Sequence, residues 1–148
     1  MCREEGMGLC PWGALGGGQF KTEEQRKQQE GRTQRNEEAA AKISKTLEAI
    51  AKRKNTLLTS VALAYVMHKT AYVFPIVGLR KVEHLQGNIE ALSIELTPED
   101  IKEIEDTVPF KLPFPHSMLW GADVPESEKE VGLLRLGGYF DYVPHPAV

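Results

Sequence analysis

Cysteine is scarce in this sequence. The two present, Cys2 and Cys10, make no disulfide framework, and no histidine pair follows them at zinc-ligand spacing. That scarcity fits a reducing, cytoplasmic setting, and no metal site is expected. Long apolar runs are also missing. The longest, residues 61–67, is far shorter than the roughly 20 residues a membrane-spanning helix needs. The opening MCREEGMGLC is acidic and lacks a continuous apolar stretch, so it does not resemble a secretory leader. An excess of one charge is absent too: 18 Lys and Arg against 21 Asp and Glu give a net charge of −3. No basic field is therefore available to attract nucleic acid or anionic lipid. The one charge-mixed stretch, residues 21–35, has its cations interrupted by Glu23, Glu24 and Glu30 and is expected to be a solvated loop. A soluble protein with neither nucleic-acid nor membrane partners is the expectation.

What is present is ordinary globular composition. The chain has 148 residues, 41% hydrophobic and 26% charged, which is the size and make-up of one domain with a core of its own. Residues 3–6 (REEG) fit the last turn of a helix closed by a left-handed Gly6. A short apolar run, residues 7–12, follows and ends at Pro11 and a group of glycines, as a strand entering a loop does. Residues 16–35 are expected to be a long loop. Asn36 suits a helix cap, and Ala40, Ile43, Leu47 and Ile50 recur at helical spacing, so a helix is predicted over 36–54. Thr59 or Ser60 is positioned to cap a second helix ending near Lys69.

Residues 72–77 (YVFPIV) form a six-residue apolar run, the pattern of a strand buried on both faces. A helix is predicted over 82–92 with Leu85, Ile89 and Leu92 on one face. Thr97-Pro98-Glu99-Asp100 then combines an N-cap, a first-turn proline and acids for a helix to about Asp106. Strands alternating with helices imply a parallel sheet with helical crossovers, an α/β fold. Two parallel strands cannot stand alone, because each keeps an open edge and an uncovered face. The pattern is that of a piece of something larger. Residues 111–148, rich in Pro, Gly and aromatics, are expected to be an irregular tail with a short helix over 128–136. In it Trp120, Tyr139, Phe140 and Tyr142 either pack on a flank or line a substrate pocket.

Two segments carry a family resemblance. GMGLCPWGALGGGQFK, residues 6–21, resembles the seventh strand and following loop of the aldo-keto reductases, above all the fungal aryl-alcohol dehydrogenases and norsolorinic acid reductases. FPIVGLRKVEHLQGNIEALSIELTPEDIKEIE, residues 74–105, is similar to their eighth strand and last helix, and LTSVALAYV to the helix before. The likeness runs unbroken over residues 1–110. It implies the carboxy-terminal portion of a (β/α)8 barrel with NADP across the strand ends. It also implies hydride transfer between NADP(H) and a small aryl aldehyde, ketone or alcohol, in the norsolorinic case within polyketide secondary metabolism. The family's catalytic Asp, Tyr, Lys and His precede the seventh strand and are not among these residues. Met1 falls where the family has an internal residue, so the reading frame is expected to begin midway and the isolated chain to be inactive. The competing expectation is a non-enzymatic remnant that associates through its open edges.

The resemblance also assigns cofactor contacts. Trp12 corresponds to the aromatic that stacks on the nicotinamide, an interaction worth about 0.5–1.5 kcal/mol; a packed corner tryptophan is the alternative. Gly13, Leu15 and Gly17 lie at the strand mouth, where glycine lets backbone N–H groups approach a pyrophosphate. No P-loop or GxGxxG pattern accompanies them. Gly78, Leu79 and Arg80 fall where the family grips the adenosine 2′-phosphate, with Arg80 offering a permanently charged fork. An exposed salt-bridged arginine is the alternative there. His84 and Asn88, four apart on one helical face, are placed toward the adenine, with Asn88 matching the family's asparagine; a surface histidine is the alternative for His84, which stands where the family has a basic or amide residue.

Overall fold

A computed structural model describes residues 1, 2, 4–27 and 37–120. The Asn36 cap, the 128–136 helix and the aromatic group Tyr139, Phe140 and Tyr142 lie outside the described residues. Among the described residues six helices are present: α1 (Glu23–Lys27), α2 (Glu37–Lys54), α3 (Leu58–His68), α4 (Val82–Glu90), α5 (Pro98–Thr107) and α6 (His116–Trp120). Short 3-10 turns occupy Gly16–Gly18 and Ala91–Ser93.

The core forms where the helical periodicities converge. Ala40, Ser44, Leu47, Ile50 and Ala51 are buried along one face of α2, and Val61, Ala62 and Ala64 on α3 meet them. Leu96 and Ile104 close the cluster from the α5 side. Leu47, Ile50 and Val61 are essentially inaccessible, each worth about 1.5–3 kcal/mol of apolar burial. The polar Ser44 is tolerated inside because its hydroxyl donates to the Ala40 carbonyl at 2.7 Å. α2 stops at Asn55, whose φ of 53° places it in the left-handed region while the Thr56 N–H donates back to the Ala51 carbonyl at 3.0 Å. α5 begins as its sequence dictates, with Thr97 and Asp100 forming a reciprocal capping box and Pro98 at the first position.

The amino-terminal turn also follows its sequence. Met7 N–H donates to the Cys2 carbonyl at 2.8 Å across a left-handed Gly6 (φ 65°), the closing pattern of a helical turn. The chain then enters the first of the two apolar runs. The runs are parallel neighbours in one register, Leu9 opposite Val73 and Trp12 opposite Ile76. Leu9 N–H donates to the Tyr72 carbonyl at 2.8 Å, Phe74 N–H to the Leu9 carbonyl at 2.7 Å, and Ile76 N–H to the Pro11 carbonyl at 3.0 Å.

The expected pair of strands is nevertheless reduced to two isolated bridges. Pro11 explains the gap. The register calls on residue 11 to donate to Phe74, and proline has no N–H to give. Nor are the runs buried on both faces. Val73, Pro75 and Val77 are half-buried, whereas Tyr72, Phe74 and Ile76 on the alternate face are exposed. No second sheet or further strand covers that face among the described residues.

Other details depart from expectation or add to it. Neither Thr59 nor Ser60 caps α3, which starts at Leu58 after an extended Leu57 with no side-chain cap. Ser60 is instead fully buried and donates to the Gly87 carbonyl at 2.8 Å. On α4 the buried residues are Gly87 and Asn88, followed by Ala91, while Leu85, Ile89 and Leu92 face outward. Small Gly87 lets α4 approach α3 closely, and a Cβ there would lie 3.0 Å from Leu57 Cδ1. The span 16–35 is not wholly loop, since α1 forms within it. Arg26 ties this region down by donating to the Gln19 carbonyl at 2.9 Å and to Ser44 Oγ at 3.0 Å. At the carboxy-terminal side, α6 lies in the stretch expected to be irregular.

Candidate functional site

The parallel register fixes which residues share an end of the molecule. Trp12 pairs with Ile76, and both runs point the same way, so the turn at residues 13–18 and the turn at residues 78–81 leave from one mouth. The Trp12 ring is 88% exposed there. Gly13 follows with φ 78° and open space where a Cβ would stand. Gly16 N–H returns to the Gly13 carbonyl at 2.8 Å, and Gly17 continues the turn at φ 61°. Leu15, between them, packs its side chain against the core, so only its backbone is available at the mouth.

Across the mouth Gly78 is exposed with no atom within 4 Å of a built Cβ, and Leu79 is partly exposed. Arg80 is exposed and has no ion-pair partner among the described residues. Lys81, which the sequence reading did not single out, occupies the N-cap of α4 in extended conformation and provides no side-chain acceptor. The first N–H groups of α4 therefore lack a side-chain cap, and two cations precede them. An Arg-Lys pair immediately before a helix start was the available signal. Along α4, His84 is exposed but Asn88 is buried, and Asn88 Nδ2 has no hydrogen-bond acceptor. A buried donor without a partner costs about 1–3 kcal/mol unless something supplies an acceptor.

The mouth thus brings together Trp12, Gly13 and Gly17 on one side with Gly78, Leu79 and Arg80 on the other, while Asn88 is buried farther along α4. Tyr65 lies on the helical side, its hydroxyl donating to Glu105 Oε1 at 3.2 Å. The depression of about 240 Å³ between α1 and α2, lined by Lys21, Arg26 and Ser44 among others, is also on the helical side. Among the described residues no group of three or more His, Cys, Asp or Glu is placed to hold a metal ion. No helix there is long and apolar enough to cross a membrane.

The aldo/keto reductase family model matches residues 1–108. The chain belongs to the aldo/keto reductase family. Members of this family generally use NAD(P)H and take small-molecule carbonyl substrates. Norsolorinic acid reductase B of Dothistroma septosporum is 44% identical over 99% of this chain, and the match spans 40% of that relative. An aryl-alcohol dehydrogenase-type protein of Saccharomyces cerevisiae is 44% identical over 90% of this chain and 93% of its own length. Among solved structures, the thermostable aldo-keto reductase Tm1743, in complex with the inhibitor epalrestat, superposes with a TM-score of 0.51 at 25% identity. That likeness covers 72% of this chain and 31% of the other. This aldo/keto reductase chain therefore spans about two-fifths of the length of the first of these relatives.

An exposed flat ring, glycine-bearing turns and an exposed guanidinium with no ion-pair partner among the described residues are groups compatible with the nicotinamide dinucleotides this family generally uses.

Proposed function

We propose that this chain is the cofactor-contacting, carboxy-terminal part of an NADP-dependent reductase barrel of the aryl-alcohol dehydrogenase or norsolorinic acid reductase type. It takes part in hydride transfer between NADP(H) and an aryl aldehyde, ketone or alcohol. One observation carries the reading: the shared register that sets Trp12 at the same mouth as Gly78–Arg80, ahead of a helix whose Asn88 amide is buried without an acceptor. When bound, the cofactor supplies the hydride.

The chain's own residues bind and orient. Trp12 offers a flat face that fixes which side of the nicotinamide is presented. The backbone at Gly13, Leu15 and Gly17 comes close enough to donate N–H groups to a pyrophosphate. Gly78 and Leu79 keep the turn slim, and Arg80, aided by Lys81, faces the 2′-phosphate that distinguishes NADP from NAD. Asn88 donates to adenine, with His84 beside it at the surface. No residue here is assigned a proton transfer, and the chain alone is proposed to bind nucleotide without turnover. A cytoplasmic setting and a place in secondary metabolism go with the norsolorinic acid reductase relatives and are proposed on that basis.

Tryptophan fluorescence tests the reading in a Trp120→Phe background, so that Trp12 is the sole reporter. NADPH is expected to quench saturably and NADH more weakly. Arg80→Ala should remove the difference between them, and Asn88→Ala should weaken both. Equal quenching by NADPH and NADH in the parent would end the 2′-phosphate assignment, and steady aldehyde reduction by this chain alone would end the assignment of a non-catalytic part.

A further inference from the structure

Helix α4 is anchored at its far end and exposed at the mouth. Every residue from Gly78 to Gln86 is exposed, whereas Gly87 and Asn88 are buried and Ala91, just past the helix, is 1% exposed. The anchor is supplied by the start of α3 and the residues before it. Thr56 Oγ1 donates to Glu90 Oε1 at 2.6 Å, and Ser60 Oγ donates to the Gly87 carbonyl at 2.8 Å. Leu57 Cδ1 leaves room at Gly87 for a hydrogen but not for a relaxed Cβ, which would stand 3.0 Å away. The two hydrogen bonds differ in weight. The Thr56 pair lies at the surface, where water competes for both groups, while Ser60 is fully buried between Leu58 and Val61 of the core cluster. Ser60 therefore passes the rigidity of the core to α4. At the mouth, by contrast, Lys81 makes no side-chain cap bond and Val82 is 68% exposed.

We propose that Ser60, with Thr56 in support, is a positioning residue for 2′-phosphate recognition: its bond to Gly87 sets the tilt of α4 and so the place of Arg80 and Lys81. The inference rests on the cofactor reading above. A short helix moves as a rod. Val82 lies about 7.5 Å along the axis from Gly87, so a tilt of about 10° at the anchor displaces the first turn by about 1.3 Å. A guanidinium holds a phosphate through paired, directional bonds, which a shift of that size breaks. Ser60 itself touches no nucleotide, because its side chain is inaccessible. Only NADP carries the 2′-phosphate, so loss of the anchor falls on NADPH more than on NADH. A serine that served stability alone would leave that preference unaltered.

The test uses the full 148-residue chain in the Trp120→Phe background, at a temperature well below the melt. Ser60→Ala is expected to raise the NADPH dissociation constant about fivefold and the NADH constant less than about twofold. Thr56→Val should act in the same direction to a smaller degree, and Thr56→Ser, which keeps the hydroxyl, should restore the parent's preference. Asp100→Asn costs stability at α5 and should leave both constants unchanged. Without nucleotide, the amides of residues 86–90 should exchange with deuterium severalfold faster in Ser60→Ala, while those in the middle of α2 keep their rates. Unchanged exchange in α4 would overturn the positioning role. An NADPH-to-NADH ratio that survives both Ser60→Ala and Thr56→Val, or that falls equally in Asp100→Asn, would overturn it as well. A parent chain with no preference for NADPH removes the 2′-phosphate assignment and this inference together, a result visible before any substitution is made.

Discussion

Ser60 Oγ donates to the Gly87 carbonyl at 2.8 Å, joining α3 to α4. The Ala91 N–H also reaches that carbonyl, so it keeps a partner if the hydroxyl is removed. Ser60→Ala is therefore expected to cost about 1 kcal/mol, the net worth of one buried hydrogen bond. Gly87→Ala tests the spacing independently. The added Cβ meets the tip of Leu57 at 3.0 Å, a side chain that is 53% exposed, and Ser60 Oγ only at an ordinary contact distance of 3.5 Å. Helix preference for alanine over glycine then makes the change neutral or stabilising by up to about 1 kcal/mol. Gly87→Leu, which no rotation of Leu57 accommodates, should destabilise by about 1–3 kcal/mol. Urea denaturation midpoints check all three.

Asp100 is the second sensitive point. It is 7% exposed, with Lys54 Nζ at 2.9 Å and Arg53 Nη2 at 3.0 Å. Burial pushes its carboxyl up, but Lys54, the Thr97 N–H and Arg53 together outweigh burial and hold it at about 2. A folded-state value below the ordinary carboxylate value means stabilisation that is complete above about pH 4 and lost as the pH falls toward 2. Asp100→Asn should lower stability by about 2 kcal/mol at pH 7, and the gap from the parent should close over that acid window. A gap of constant size from pH 7 to pH 2 would show that the capping geometry, not the charge, is responsible.

Tyr65 governs the alkaline side. Burial, followed by the Glu105 charge and hydrogen bond, pushes its phenol up to about 12. Lys69 pairs with the same carboxylate. Because the folded-state value exceeds the unfolded one, the contribution is complete below about pH 10 and disappears as the pH rises through 12. Spectrophotometric titration should show one tyrosine ionising late, and Tyr65→Phe should remove both that late step and the matching loss of stability.

Arg26 holds the turn region after the glycines against α2 through Gln19 and Ser44. Replacing it with alanine is expected to cost under about 1 kcal/mol globally, as befits a half-buried surface contact. It should nonetheless accelerate tryptic cleavage at Lys21 and Lys27 severalfold. Unchanged cleavage would mean that α1 is held by something else.

Helical periodicity and capping chemistry were legible because they are local. Ala40, Leu47 and Ile50 marked the face of α2 that is buried, and Thr97-Pro98-Glu99-Asp100 marked the start of α5. The parallel neighbourhood of the two apolar runs also followed from their composition. Details set by partners distant in sequence did not. Ser60 has the composition of a helix cap, yet the Gly87 carbonyl 27 residues away claims its hydroxyl. The apolar stripe of α4 was visible, but its outward orientation depends on Gly87 fitting against Leu57 and on what does not cover it. At the mouth, the register sets Trp12 opposite Ile76, two residues before Gly78. The inward turn of Leu15 required coordinates.

The buried cluster of Leu47, Ile50, Ala51, Leu58, Val61, Ala62, Ala64, Leu96 and Ile104 draws on α2, α3, α5 and the approach to α5, and on neither apolar run. The cluster that keeps the molecule folded is thus separate from the end proposed to meet ligands. Amides of Phe74 and Ile76 should exchange with deuterium through local opening, while those in the middle of α2 wait for global unfolding. Ligands or companions arriving at the mouth would then be felt first as slowed exchange there, with the helical layer scarcely changed.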